Sequence, residues 1–217
     1  MRSVVVTPSD FAHLWTDCRR CFAEKALSGV RRPGVFDPAY GIADRAMKRA
    51  FADVALVDLG VGPRFRVLSQ SVRVRSAPVE FERLDFALAI EGAYDALVET
   101  EHREVFVVDY KTTNLDELAL RKYRRQLAAY AFALEHPAGG AAITVDGHAL
   151  LAYRPENFAY RARGVSGLYG RSAWIEIPKD DGEFAWFLAE VASTLSKGIP
   201  DVARGCSFCA YRGRSSA

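Results

Sequence analysis

The sequence has no apolar run long enough to span a membrane, and Met1–Val6 is too short and too soon interrupted to act as a secretory signal. Neither a membrane protein nor an exported one is expected, and the expected location is cytoplasmic. The sequence also has no G-x-x-x-x-G-K-[ST] phosphate loop, which excludes a helicase motor of that type. Internal repeats, low-complexity tracts and long linkers are absent, which excludes solenoids and extended tails. No charge sign dominates: 29 Lys and Arg stand against 27 Asp and Glu, a balance too even to diagnose a nucleic-acid partner by itself. Cysteine and histidine are scarce, at four each. What remains is a chain of 217 residues, half of them hydrophobic, enough for one domain with a substantial core.

The stretch around which this core is organised is Val105–Thr113, VFVVDYKTT. Its first four residues are β-branched or aromatic, as in a central strand buried on both faces. Side chains alternate along a strand, so Asp109 and Lys111 project from one face and Tyr110 from the other. The preceding run, Phe86–Val98, reads as a second strand, with Phe86, Leu88, Ile90, Tyr94, Ala96 and Val98 on one face and Asp95 on the other. Folding the chain about Glu101–Arg103 brings Asp95 opposite Asp109, or within one residue of it. Directly opposed residues have Cβ atoms roughly 5 Å apart. Two carboxylates so close repel each other unless a cation lies between them, and Mg²⁺ or Mn²⁺ suits an oxygen donor set. Leu118–Leu134 then reads as a helix with an apolar stripe at Leu120, Tyr123, Leu127, Tyr130 and Leu134. Lys122, Gln126 and Tyr130 form a second line along it, and packing on the sheet lets Gln126 and Tyr130 reach the carboxylates.

Gly92-Ala93-Tyr94-Asp95, Val108-Asp109-Tyr110-Lys111-Thr112 and Gln126-Leu127-Ala128-Ala129-Tyr130 resemble, in order and spacing, the G-x-x-D, D-Y-K-T and Q-x-x-x-Y motifs of RecB-like nucleases of the PD-(D/E)XK superfamily. The resemblance implies an α/β fold: a restriction-endonuclease-like core with a mixed central sheet flanked by helices. It implies one nuclease domain over residues 1–217, with N-terminal helices in 1–60, the catalytic core in 61–180 and a C-terminal helix in 181–217. The implied activity is Mg²⁺- or Mn²⁺-dependent DNA hydrolysis, exonucleolytic rather than endonucleolytic, on single strands or DNA ends in repair, recombination or CRISPR adaptation. Asp95, Asp109 and the Tyr110 carbonyl would hold the ion, Lys111 would position or deprotonate a water, and Gln126 and Tyr130 would orient Lys111 or the DNA backbone. A partner helicase or CRISPR-adaptation protein belongs to the same expectation. Many relatives carry a metal-binding histidine in a G-x-x-x-H pattern, and here Gly41 is followed at that place by Arg45. Asp44 is an acid that substitutes only if the helix is rotated; a solvent-facing acid is the expected reading. The missing histidine motivates an alternative, a catalytically weakened nuclease fold that binds DNA or docks a partner.

The cysteines form two C-x-x-C pairs, Cys18/Cys21 and Cys206/Cys209, a complete four-thiolate set at opposite ends of the sequence. Cys18, Cys206 and Cys209 match the one-plus-three pattern by which the AddB nuclease domain, exonuclease V and CRISPR-adaptation nucleases hold a [4Fe–4S] cluster. The last cysteine of that pattern would fall near Ser215, and Cys21 is extra and placed to replace it. The resemblance therefore favours a [4Fe–4S] cluster, with structural Zn²⁺ as the alternative that paired C-x-x-C spacing allows. Either would join the chain ends.

Elsewhere, Thr7–Asp10 reads as the start of a helix running past Phe11, Leu14, Trp15 and Phe22, and Val30–Pro38 as a loop. Gly41–Phe51 reads as a helix, Phe65–Val74 and Val79–Glu82 as strands, Ala149–Arg154 and Ala173–Ile177 as strands, and Phe184–Leu195 as a helix. Lys122, Arg125, Arg161 and Arg163 lie in basic clusters and are candidate phosphate contacts. Asn157–Arg171, rich in Gly, Arg and Tyr, reads either as a strand-binding segment or as a surface loop. Glu80 and Glu82 are expected on the surface, and the four histidines are given no role.

Overall fold

The computed structural model describes residues 1–32, 38–52, 54–112, 117–161 and 164–215, with the side chains of 38–40, 117–119, 161, 165 and 213–215 also outside the description. The chain opens with strand β1 (Arg2–Val6), then three short helices, α1 (Pro8–Ala12), α2 (Leu14–Asp17) and α3 (Arg19–Ser28), and a longer one, α4 (Pro38–Ala52). Six strands follow: β2 (Phe65–Gln70), β3 (Arg73–Arg75), β4 (Val79–Phe81), β5 (Phe86–Ala93), β6 (Ala96–Thr100) and β7 (Val105–Thr112). Helix α5 (Glu117–Glu135), a long hairpin of β8 (Gly147–Arg161) and β9 (Val165–Ile177), and helices α6 (Asp181–Ser196) and α7 (Ser207–Ser215) complete the chain.

The strands form two sheets. In one, β5 lies between β1 and β3 and also pairs with β4; in the other the order is β2-β6-β7-β8-β9. The β1–β5 and β7–β8 pairings are parallel and the rest antiparallel, so the fold is mixed α/β with helices flanking both sheets. The expected single strand Phe86–Val98 is two strands, which leave one sheet and enter the other at Tyr94–Asp95. Its supposed single apolar face divides accordingly: Phe86, Leu88 and Ile90 pack among β1, α1, α3 and α6, while Ala96 and Val98 pack beneath β2 and β7. Phe65–Val74 divides in the same way into β2 and β3, at Ser71, whose φ of 54° no extended strand adopts.

The β6–β7 hairpin turns over Glu101–Arg103 as expected, with Arg103 at φ 67°, and its register pairs Ala96 with Val108 and Leu97 with Val107. Alternation along β7 then sorts the two faces. Val107 packs under α5 with Leu127, Tyr130 and Leu134, and Phe106, Val108 and Tyr110 pack on the opposite face beside Phe51 of α4. Each fully buried Leu, Ile or Phe in these clusters contributes roughly 1.5–3 kcal/mol. Helix α5 has no Pro or Gly inside and lies where its periodicity placed it. The N-terminal segment departs most from expectation: Met1–Val6 supplies a strand, and the expected continuous helix breaks at His13 and Cys18. Cys18 is extended, with φ −163°, and caps α3, its sulfur accepting the Cys21 N–H at 3.5 Å. Asn157–Arg171 is mostly strand rather than loop, since β8 and β9 pair from His148/Ile177 to Arg161/Val165.

Candidate active site and metal centre

The start of α1, the Tyr94–Asp95 crossover, the end of β7 and one face each of α4 and α5 enclose a cavity of about 610 Å³. Asp44, Arg45, Asp95, Asp109, Lys111, Thr112, Gln126 and Tyr130 are among its walls, with His13 and Tyr123 at one side. The register that sets Ala96 against Val108 places Asp95 beside Asp109. Asp95 Oδ2 accepts the Tyr110 backbone N–H at 2.9 Å, which fixes that carboxylate across the hairpin. Lys111 Nζ stands 2.5 Å from Asp109 Oδ2, and Gln126 Nε2 donates to Asp109 Oδ1 at 3.1 Å. The Tyr130 hydroxyl donates to the Ala93 carbonyl at 2.9 Å, so it holds the crossover rather than a carboxylate. Gly92 makes this close approach possible: a Cβ there would lie 2.8 Å from Pro8 Cδ and 3.1 Å from Tyr130 Cε1.

The electrostatics are uneven. Burial pushes the Asp109 carboxyl up to about 7, with Lys111 opposing the rise and the Asp95 charge adding to it. Burial works against the Asp95 charge too, but Lys111 and Lys48 outweigh it and hold that carboxyl below the usual range. Burial alone would lower Lys111; the Asp109 and Asp95 charges reverse this and hold its ammonium above the ordinary lysine range. The ammonium also lies 5.0 Å from the centre of the Tyr123 ring. His13 is lowered by burial and by the Lys111 and Lys122 charges.

The donor set suits a hard divalent cation. Carboxylate oxygens of Asp95 and Asp109 face the cavity, and the buried Thr112 Oγ1 and Gln126 Oε1 have no hydrogen-bond partner among the described residues. Asp109 Oδ2 has the Lys111 ammonium beside it but no directed hydrogen bond.

Two residues that sequence reasoning missed stand here. Lys48 of α4 reaches Asp95 Oδ1 at 2.7 Å and Asp44 Oδ2 at 3.1 Å, so Asp44 belongs to the cavity and is not the solvent-facing acid expected. The i,i+4 spacing of Asp44 and Lys48 was a readable signal. His13 had none, because its place depends on the break between α1 and α2. Of the candidate phosphate contacts, Lys122 pairs with Asp17 at 3.2 Å beside the cavity, and Arg125 stacks over Phe187 at 4.5 Å on another face of α5. Arg163 and the side chain of Arg161 lie outside the described residues. Glu80 is on β4 and Glu82 begins the turn after it; neither lines the cavity. His102 sits in the β6–β7 turn, His136 against Phe132, and His148 in the core of the second sheet.

A second centre lies where α3 meets α7. Cys18, Cys21, Cys206 and Cys209 converge so that their four sulfurs lie within 4.8 Å of one another. The Cys18–Cys209, Cys21–Cys206 and Cys21–Cys209 separations are 3.7, 3.7 and 3.6 Å. A tetrahedral ion with metal–sulfur bonds of about 2.3 Å sets its sulfurs about 3.8 Å apart, close to these three separations, so the four thiols could hold a metal ion. In a cubane cluster each thiolate binds a different iron, and the sulfurs stand farther apart than they do here.

The family model described as the PD-(D/E)XK nuclease superfamily matches residues 42–214. The crystal structure of SSO0001 is similar to this chain at 12% sequence identity and a TM-score of 0.53, over 96% of this chain and 84% of that one, a likeness of fold. No curated protein matches.

Proposed function

The chain belongs to the PD-(D/E)XK nuclease superfamily, and from that premise we propose that it is a metal-dependent DNA nuclease acting on single strands or DNA ends. The observation that carries the reading is the meeting of Asp95, Asp109, Lys111 and Gln126 in one cavity whose buried Thr112 and Gln126 oxygens have no partner among the described residues. Asp95, Asp109 and the Tyr110 carbonyl are the residues that would hold Mg²⁺ or Mn²⁺. Such an ion, when bound, supplies Lewis acidity and lowers the pKa of a water. Lys111 acts as a fixed ammonium: it orients the attacking water and offsets negative charge that grows on the phosphorus oxygens. Gln126 holds Asp109 in place, Tyr123 and Lys111 brace each other, and Tyr130 keeps the Asp95 crossover closed against α5. Lys122, paired with Asp17 beside the cavity, would contact the DNA backbone, and the same role is proposed for Arg161 and Arg163. Arg125, stacked on Phe187, is a weaker candidate.

The whole chain is read as one RecB-like domain of the cysteine-clustered branch, exonucleolytic and working beside a helicase or CRISPR-adaptation protein. For the thiolate centre the sulfur spacing supports Zn²⁺ over the [4Fe–4S] cluster that the resemblance favoured. Presence of zinc without iron or sulfide in purified protein would bear this out.

The test is release of nucleotides from labelled single-stranded and duplex DNA, with Mg²⁺ or Mn²⁺ and with chelator. Asp109→Asn and Lys111→Ala should each lower the rate at least about a hundredfold while the circular dichroism spectrum stays native. Full activity in either would overturn the assignment. Wild-type protein that binds DNA without cutting it would favour the second reading, a weakened nuclease fold, which the presence of Arg45 in the cavity wall motivates.

A further inference from the structure

Two carboxylates of the active-site cavity, Asp44 and Asp95, are joined from behind by a lysine that is not itself part of the cavity lining. Lys48 Nζ lies between two carboxylates, 2.7 Å from Asp95 Oδ1 and 3.1 Å from Asp44 Oδ2, and its side chain is about four-fifths buried. Asp44 sits one helical turn before Lys48 on α4, so the helix itself fixes the pair, and Asp95 joins it from the crossover between β5 and β6. Both oxygens of Asp95 are thereby engaged, one by Lys48 and the other by the Tyr110 N–H.

We propose that Lys48 permanently fills one of two cation positions between the carboxylates, so that the site takes one divalent ion, at Asp95 and Asp109, and no second. This inference rests on the metal-site reading above. Many phosphodiester-cleaving sites use two divalent ions about 3.5–4 Å apart, held by shared carboxylates. Here Asp44 and Asp95 are the carboxylates that would hold a second ion, and an ammonium already stands between them. Charge leads to the same conclusion. Lys48 pairs with Asp44 and Asp95, and Lys111 with Asp109, so each of the three carboxylates already has an ammonium beside it before any ion enters. One divalent ion makes the cavity attractive to a phosphodiester; a second would crowd +2 against Lys48 in the same pair of carboxylates.

The experiment counts Mn²⁺, by calorimetry and electron paramagnetic resonance, on the full chain as purified with its thiolate centre intact. Wild type should bind one Mn²⁺ in the cavity. Lys48→Met should bind two, with the spin-coupled signal of neighbouring ions, and Lys48→Arg should return the count to one. Two Mn²⁺ in wild type, or one in Lys48→Met, overturns the proposal. Asp109→Asn separates the two levels of the argument: if it binds Mn²⁺ as wild type does, the metal-site reading itself fails, and with it the premise. If it loses Mn²⁺ while Lys48→Met still binds one, the role of Lys48 alone is refuted.

Discussion

Asp109 and Asp95 are chemically alike and adjacent, yet they are driven in opposite directions. Asp95 is ionised through the pH range in which a nuclease works, because two ammoniums face it. Asp109 is more completely buried, and its carboxyl is raised to about 7, above the ordinary 3.8. A divalent ion binds the ionised form, so a proton competes with it below that value. Mn²⁺ affinity should therefore strengthen as pH rises toward 7, by up to about tenfold per unit, and level off above it. Calorimetry in buffers of different ionisation enthalpy should find close to one proton released per ion at pH 6 and almost none at pH 8.5. Asp109→Asn should abolish that release. Affinity that is flat across the range would contradict the assignment. Much of this pair was legible beforehand: alternation and hairpin length suffice to bring Asp95 to Asp109. The opposite electrostatics were not, because they depend on how deeply α5 buries one residue and on a lysine from α4.

Among the elements, β7 and α5 are written plainly in the sequence, since each has a long run with a single period and no breaker. The crossover between the two sheets is not. Phe86–Val98 keeps its period of two straight through Tyr94–Asp95, so nothing local announces that the chain changes sheets there. Just before the change, at Gly92, α1 and α5 both close on the end of β5. A Cβ at that position meets Pro8 and the Tyr130 ring together. Gly92→Val should destabilise the fold by about 1–3 kcal/mol, the usual cost of overpacking. It should also cost activity beyond that, because moving Tyr130 frees Ala93 and hence Asp95. Urea unfolding compared with the rate measured well below the transition would separate the two effects; a variant as stable and as active as wild type would show that the contact is slack. Strand β1 escaped sequence reading because it is short and gains its pairing from β5; β3 reads in the sequence as the end of one strand with β2, and the two strands of the β8–β9 hairpin are legible only in part, because the Gly, Arg and Tyr of their far ends resemble a loop's.

For the molecule as a whole, residues near 18 and near 209 meet at one cluster of sulfurs. The convergence was foreseeable from the two C-x-x-C pairs alone, whereas the sulfur spacing that bears on the identity of the ion was not. If zinc sits there at a free concentration a thousandfold above its dissociation constant, it stabilises the native state by about 4 kcal/mol. At roughly 2–4 °C per kcal/mol for a chain of this size, chelation should lower Tm by roughly ten degrees. An unchanged Tm would mean that the centre holds no ion or contributes nothing to the fold.

The same sulfurs have another chemistry once an ion has gone. Thiols held 3.6–3.7 Å apart need little motion to join, and Cys206 is only half-buried, within reach of dissolved oxygen. Two thiols that surrender two electrons and two protons to oxygen become a disulfide, which binds no zinc. Stripping the ion in air should therefore be a one-way passage, whereas stripping it under a reductant should be reversible. The history of a sample, and not only its present metal content, would then decide whether its two ends can be clasped again.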